Sequence, residues 1–131
     1  MPGETNLSKL LREMEPELNM GEFVFCTTDS SGRAAALDPL GSFREKEGVT
    51  VILPSSQADD LGLSYSMVFA WITLTVHSSL EAVGLTAAVS RALAEADIPC
   101  NVVAAFYHDH LFVPVDDAPR AMDVLMNLVA G

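Results

Sequence analysis

The chain has 131 residues, half of them hydrophobic, and 18 acidic side chains against 7 basic ones give it a formal charge of −11. That length fits one compact body, or two very small ones sharing a core. Its scattered Lys and Arg cannot neutralise a run of phosphates, which excludes nucleic acid and anionic membrane surfaces as partners, and no apolar run reaches the roughly 18–20 residues of a membrane span.

The opening "MPGETNLSKLLREM" lacks the apolar stretch of a secretory signal, so a cytoplasmic location is expected. Leu7, Leu10, Leu11 and Met14 recur at helical spacing and predict a short amphipathic helix over 6–14, capped by Thr5 or Asn6. Pro16 and Gly21 punctuate the chain before "EFVFCTT", a strand, and "SSGR", a turn. Residues 33–48 carry no clear period. "GVTVILP" is a second strand and "SSQADDLGL" a short capped helix, and "YSMVFAWITLTV" over 65–76 is the longest β-rich run. The two cysteines, Cys26 and Cys100, both lie in apolar strand-like runs, as buried free thiols do.

The second half is more regular. Leu85, Ala88, Val89, Ala92, Leu93 and Ala96 share one helical stripe, with Ser90, Arg91 and Glu95 pointing away. "NVVAAFY" reads as a strand, "HDH" as a turn and "LFVPV" as a strand. "DDAPRAMDVLMNLVA" closes as a helix with acidic residues and Pro119 at its start. "FREKEGVTVILPSSQADDLGL" and "FYHDHLFVPVDDAPRAMDVL" share an order of aromatic residue, charged turn, apolar strand and acidic-started helix, which suggests a repeat.

Written as elements, the halves run α-β-β-α-β and β-α-β-β-α. Each approaches the βαββαβ order of a ferredoxin-like unit, and neither is complete without sharing or swapping strands. The predicted class is α+β: two such units in tandem, 1–64 and 65–131, with antiparallel sheets and helices on one face. In that topology the loop after the 65–76 strand and the "YHDH" hairpin emerge at one edge, two strand spacings or about 10 Å apart. Alternation along "WITLTVH" puts Ile72, Leu74 and Val76 toward the helices, and Trp71, Thr73, Thr75 and His77 on the other face. Met67 and Trp71 are assigned to core or interface. Residues 101–107 are apolar on both faces, which calls for a second covering partner, a neighbouring domain or a homodimer.

"VHSSLEAVGLTAAVSRALAEADIPCNVVAAFYHDHLFV" resembles an ACT domain, the small regulatory module that binds amino acids in aspartate kinases. A strand ending at Val76 leads to "VGL", where such domains often carry "PGL", and then to an alanine-rich helix, "ADIPCNV" and the "FYHDHLFV" hairpin. The match covers residues 70–128. The first 65 residues look like a degenerate second unit, and the whole resembles stand-alone bacterial tandem ACT proteins.

Ser78-Ser79-Leu80-Glu81 has the form of a capping box. Gly84 would then sit inside the helix at about 1 kcal/mol relative to alanine. The alternative is a helix beginning near Gly84, with the preceding loop held close to a ligand; the sequence leaves both open. A Ser–His–Glu hydrolase is disfavoured, because side chains one or two positions apart cannot align nucleophile, base and orienting acid, and no nucleophile elbow is present. Asp109 serves either turn chemistry or a ligand's ammonium group.

The resemblance therefore implies a non-catalytic sensor without a cofactor that binds an amino acid or similar small ligand near a domain interface and regulates a protein partner. One wall of the site is expected from His77, Ser78, Ser79, Glu81, Val83, Gly84, Leu85 and Thr86. The other is expected from Phe106, Tyr107, His108 and Asp109. His77, His108 and His110 form the alternative, a transition-metal site, and a pure protein–protein interaction module is a further one.

Overall fold

A computed structural model describes residues 2–75 and 82–131. In chain order the first elements are α1 (Pro2–Glu13), β1 (Glu15–Leu18), β2 (Phe23–Thr28), α2 (Ser31–Ala36), β3 (Gly41–Arg44), β4 (Val49–Pro54) and α3 (Ser55–Asp60). There follow β5 (Phe69–Thr75), α4 (Ala82–Glu95), β6 (Asn101–Ala104), β7 (Asp109–Pro114), a 3-10 turn over Val115–Asp117 and α5 (Ala118–Ala130). The fold is α+β, two ferredoxin-like units of the order β-α-β-β-α. The chain divides into two compact units, Gly21–Phe69 and Met1–Met20 with Ala70–Gly131. The first twenty residues thus fold with the second of the two repeats.

In the smaller unit the strands lie in the order β3-β4-β2. The register sets Val24 opposite Leu53 and Cys26 opposite Val51, so alternate residues of both strands face one side. There they are buried with Ala34 and Ala58 of the two short helices. Ser30 caps α2 by accepting the Arg33 N–H at 3.2 Å, which turns the expected "SSGR" turn into a helix start. The cap expected on α3 is absent: Pro54 precedes it without a side-chain bond, and the Ser55 amide donates to the Glu22 carbonyl at 2.9 Å. Phe69 pairs with Phe23, the two ends of this unit's chain.

The larger unit repeats the pattern with β5, α4, β6, β7 and α5. Its strand order is β1-β5-β7-β6. The fourth strand is β1, which precedes the repeat in sequence and pairs antiparallel with β5, Glu15 opposite Thr75 to Leu18 opposite Ile72. This is the strand sharing that the incomplete element orders required. Leu10 and Met14 of the α1 region, Ile72 and Leu74 of β5, Leu85, Val89 and Leu93 of α4, and Leu111 and Val113 of β7 are buried together with Ala121 and Leu125 of α5.

Several boundaries differ from the expected ones. Helix α1 already starts at Pro2, where the missing N–H costs nothing, so Thr5 and Asn6 are inside it rather than capping it. β5 begins at Phe69 rather than at residue 65. β6 stops at Ala104, and the turn falls at 105–108 rather than on "HDH". Asp109 and His110 belong to β7.

Candidate functional site

The site elements all belong to the larger unit. The Ala105 N–H donates to the His108 carbonyl at 3.1 Å and closes the hairpin over Phe106 and Tyr107. Those two aromatic rings pack edge to face, with centroids 4.9 Å apart, yet they are 92% and 76% exposed. The residues after them turn inward: His108, Asp109 and His110 are all half-buried.

Alternation places His110 on the sheet face away from the helices, beside Trp71 and Thr73 of β5. The Trp71 indole Nε1–H donates to His110 Nδ1 at 3.0 Å, and the Thr73 hydroxyl lies 3.2 Å from the same nitrogen. An indole N–H only donates, so Nδ1 must carry a lone pair and the imidazole proton sits on Nε2. Burial, and then the neighbouring His108, hold the His110 pKa below its ordinary value, with Asp109 opposing. Asn19 extends the network from the other side of β5, its amide donating to Thr73 Oγ1 at 2.9 Å and to the Trp71 carbonyl at 3.2 Å. Trp71 is thus a polar anchor rather than only core.

His108 stands differently. Its ring lies 6.5 Å from that of His110, nearly perpendicular, and its Nδ1 is buried with no hydrogen-bond partner among the described residues. A buried polar nitrogen left unpaired costs about 1–3 kcal/mol. Thr73 lies two residues before the end of β5, and His110 is the second residue of β7. The end of β5 and the 105–108 turn therefore meet at one end of the sheet.

Of the other expected wall, His77, Ser78, Ser79 and Glu81 lie outside the described residues, so the capping-box reading does too. Val83, Gly84, Leu85 and Thr86 are in the first turns of α4. Leu85 is fully buried in the core, and Thr86 is half-buried. Gly84 is inside the helix, and a Cβ built on it would stand 3.4 Å from Leu7 Cδ1. The close approach that its lack of a side chain allows is made by α1.

Among the described residues no three His, Cys, Asp or Glu side chains converge on a metal position, and His110 has already committed Nδ1 to Trp71. The thiols are both free. Burial pushes Cys100 up to about 11 and raises Cys26 as well, so both are protonated and unreactive at neutral pH. Sequence reasoning missed Asn19, because "EPEL" with its proline does not read as a strand.

Two tandem ferredoxin-like units, with a hairpin and a strand end of the larger unit brought to one edge, define a small α+β module. ACT domain models match residues 2–70 and again residues 67–127, and the chain belongs to the ACT domain family. A Vibrio cholerae protein of unknown function is 44% identical over 97% of this chain and 98% of its own, with a TM-score of 0.89. An Agrobacterium tumefaciens protein shares the fold at 18% identity, covering 88% of this chain and 89% of its own, TM-score 0.68. So does the regulatory subunit of aspartate kinase from Thermus flavus, at 10% identity, 86% and 95% coverage and a TM-score of 0.63. No curated protein matches. ACT domains are regulatory, ligand-binding modules, and among the described residues no helix is long and apolar enough to cross a membrane.

Proposed function

We propose that this chain is a non-catalytic cytoplasmic regulator that binds an amino acid, or a similar small zwitterion, with the Phe106–Asp109 hairpin and residues of the segment His77–Thr86. One observation carries the reading: the buried Nδ1 of His108, which has no hydrogen-bond partner among the described residues. Rotation of the His108 ring to bring that nitrogen to a ligand carboxylate would remove its desolvation cost, and Asp109 next to it offers a carboxylate to an ammonium group. Phe106 and Tyr107, exposed at the tip, supply apolar surface to close over the ligand's side chain.

The same reading includes a homodimer. β6 is an edge strand whose four residues are all exposed, Val102 and Val103 among them. Such an edge is a template for a second chain, and a second copy paired there would bring two hairpins close together. Ligand binding then acts by favouring one packing of the copies over another, and a regulated protein partner reads the change.

A thermal-shift panel of the twenty amino acids tests this. A ligand at 100 times its dissociation constant adds about 2.7 kcal/mol of stability. One amino acid should stabilise the protein, and His108→Ala should abolish the shift. A panel in which no amino acid raises the melting temperature contradicts the reading.

A further inference from the structure

We propose that the smaller unit carries a second ligand site, a groove between α2 and β3 that binds a small apolar carboxylate without an ammonium group through Arg44, Ser31 and Ser42. The groove follows from the shortness of α2. Six residues long, it ends in three alanines and covers little of the strand beside it. Ser42 pairs with Val51 and Arg44 with Val49, and those valines face the helix layer. Ser42 and Arg44 therefore face it too, where a longer and bulkier helix would have packed. What remains is a space of about 470 Å³, within the usual range for small-molecule sites.

Its chemistry is one-sided. Ala34, Ala35, Pro39 and Val49 form the apolar wall, and Phe43 stands at its edge, 72% exposed. Ser31, Ser42 and Arg44 supply the polar groups. Among the described residues no acidic side chain lines the groove, so no carboxylate there pairs with an ammonium ion. Among the described residues no acidic group pairs with Arg44 either, in a chain with 18 acids to 7 bases. Its acidic neighbour Glu45 instead accepts from the Thr50 hydroxyl. A guanidinium fork left open beside two hydroxyls suits a planar carboxylate. The apolar wall suits a short branched or aromatic body. None of these residues belongs to the hairpin, so the two sites stand or fall separately.

The probe is 4-methylpentanoate, titrated into the full chain and followed by backbone amide NMR. Its uncharged counterpart 4-methylpentanamide and its ammonium-bearing counterpart leucine serve as comparisons. Saturable shifts are expected at Ser31–Ala35, Ser42–Arg44 and Val49, with both comparison compounds binding there more weakly. Arg44→Gln should weaken 4-methylpentanoate by about tenfold or more, and Arg33→Gln, outside the groove wall, should leave it unchanged. No saturable shift at these positions overturns the proposal. So does equal binding of the amide, tighter binding of leucine, or an Arg44→Gln protein that folds and binds as before. The three-ligand comparison needs no variant, so a misfolded Arg44→Gln would not shield the proposal.

Discussion

Protonating His110 should loosen its strand contact in a way the single tryptophan reports. At neutral pH His110 Nδ1 accepts from Trp71 Nε1 at 3.0 Å. A proton on that nitrogen sets two donors against each other and forfeits the bond, worth about 1 kcal/mol net. Thr73 softens the loss little, since rotating its hydroxyl to accept from Nδ1 does nothing for the indole. The folded-state pKa lies below 6.5, because burial disfavours the cation and His108 adds to that. The folded chain therefore takes up this proton at lower pH than the unfolded chain. The His110 contribution is complete above about pH 6.5 and is lost as pH falls through the folded-state value. About 1 kcal/mol corresponds to roughly 3–5 °C in melting temperature for a chain of this size. The assay is Trp71 emission against pH, since an imidazolium ring 5.7 Å from the indole quenches it. His110→Gln keeps an acceptor for the indole without titrating, and should flatten the curve. A midpoint at or above 6.5 in the native chain, or a curve unchanged in His110→Gln, would refute the assignment.

Leu93 is fully buried between α4 and the sheet, so Leu93→Ala should lower urea-unfolding stability by about 2–5 kcal/mol. Gly84 gives a pair of opposite signs. An alanine methyl would sit in ordinary contact with Leu7 and gain up to about 1 kcal/mol of helix propensity, while Gly84→Val should crowd α1 and lose about 1–3 kcal/mol. Thermal melts of the two variants moving in the same direction would contradict the Leu7 contact. Light scattering should show Val103→Lys shifting the proposed homodimer to monomer, since a charge on an edge strand discourages pairing. A Val103→Lys chain of unchanged mass places any dimer contact elsewhere. Cys100, with its thiol pushed up to about 11, should react with a thiol reagent at pH 8 far more slowly folded than in urea.

The fold was legible where burial imposes a period. The α4 stripe from Leu85 to Leu93, the β5 alternation of Ile72 and Leu74 and the terminal helix all fall where their patterns predict. The element orders α-β-β-α-β and β-α-β-β-α gave a sound class because neither is complete alone, and β1 meets that need in the larger unit; β3 stayed hidden in residues 33–48, which carry no period. β1 itself was hidden: Glu15, Glu17 and Leu18 are exposed, so no apolar rhythm marks the strand, and Asn19 went unnoticed with it. The hairpin misled for a related reason. His-Asp-His looks like a polar turn, but His110 is held in a strand by Trp71 and Thr73, partners far away in sequence. Exposed Phe106 and Tyr107 form the turn instead, against the habit of apolar residues to mark strands. Gly84, expected either inside a capped helix or beside a ligand, lies inside α4 against Leu7, a neighbour that distance along the chain conceals.

The most direct test of the amino-acid reading is a long-range proton–nitrogen NMR spectrum of the imidazole rings, taken with and without the amino acid that stabilises the chain most. It resolves each ring nitrogen separately. On saturation His108 Nδ1 should move, as it gains a hydrogen-bond partner, while His110 keeps a lone pair on Nδ1 and its proton on Nε2. A saturating amino acid that leaves both His108 nitrogens where they were would contradict it.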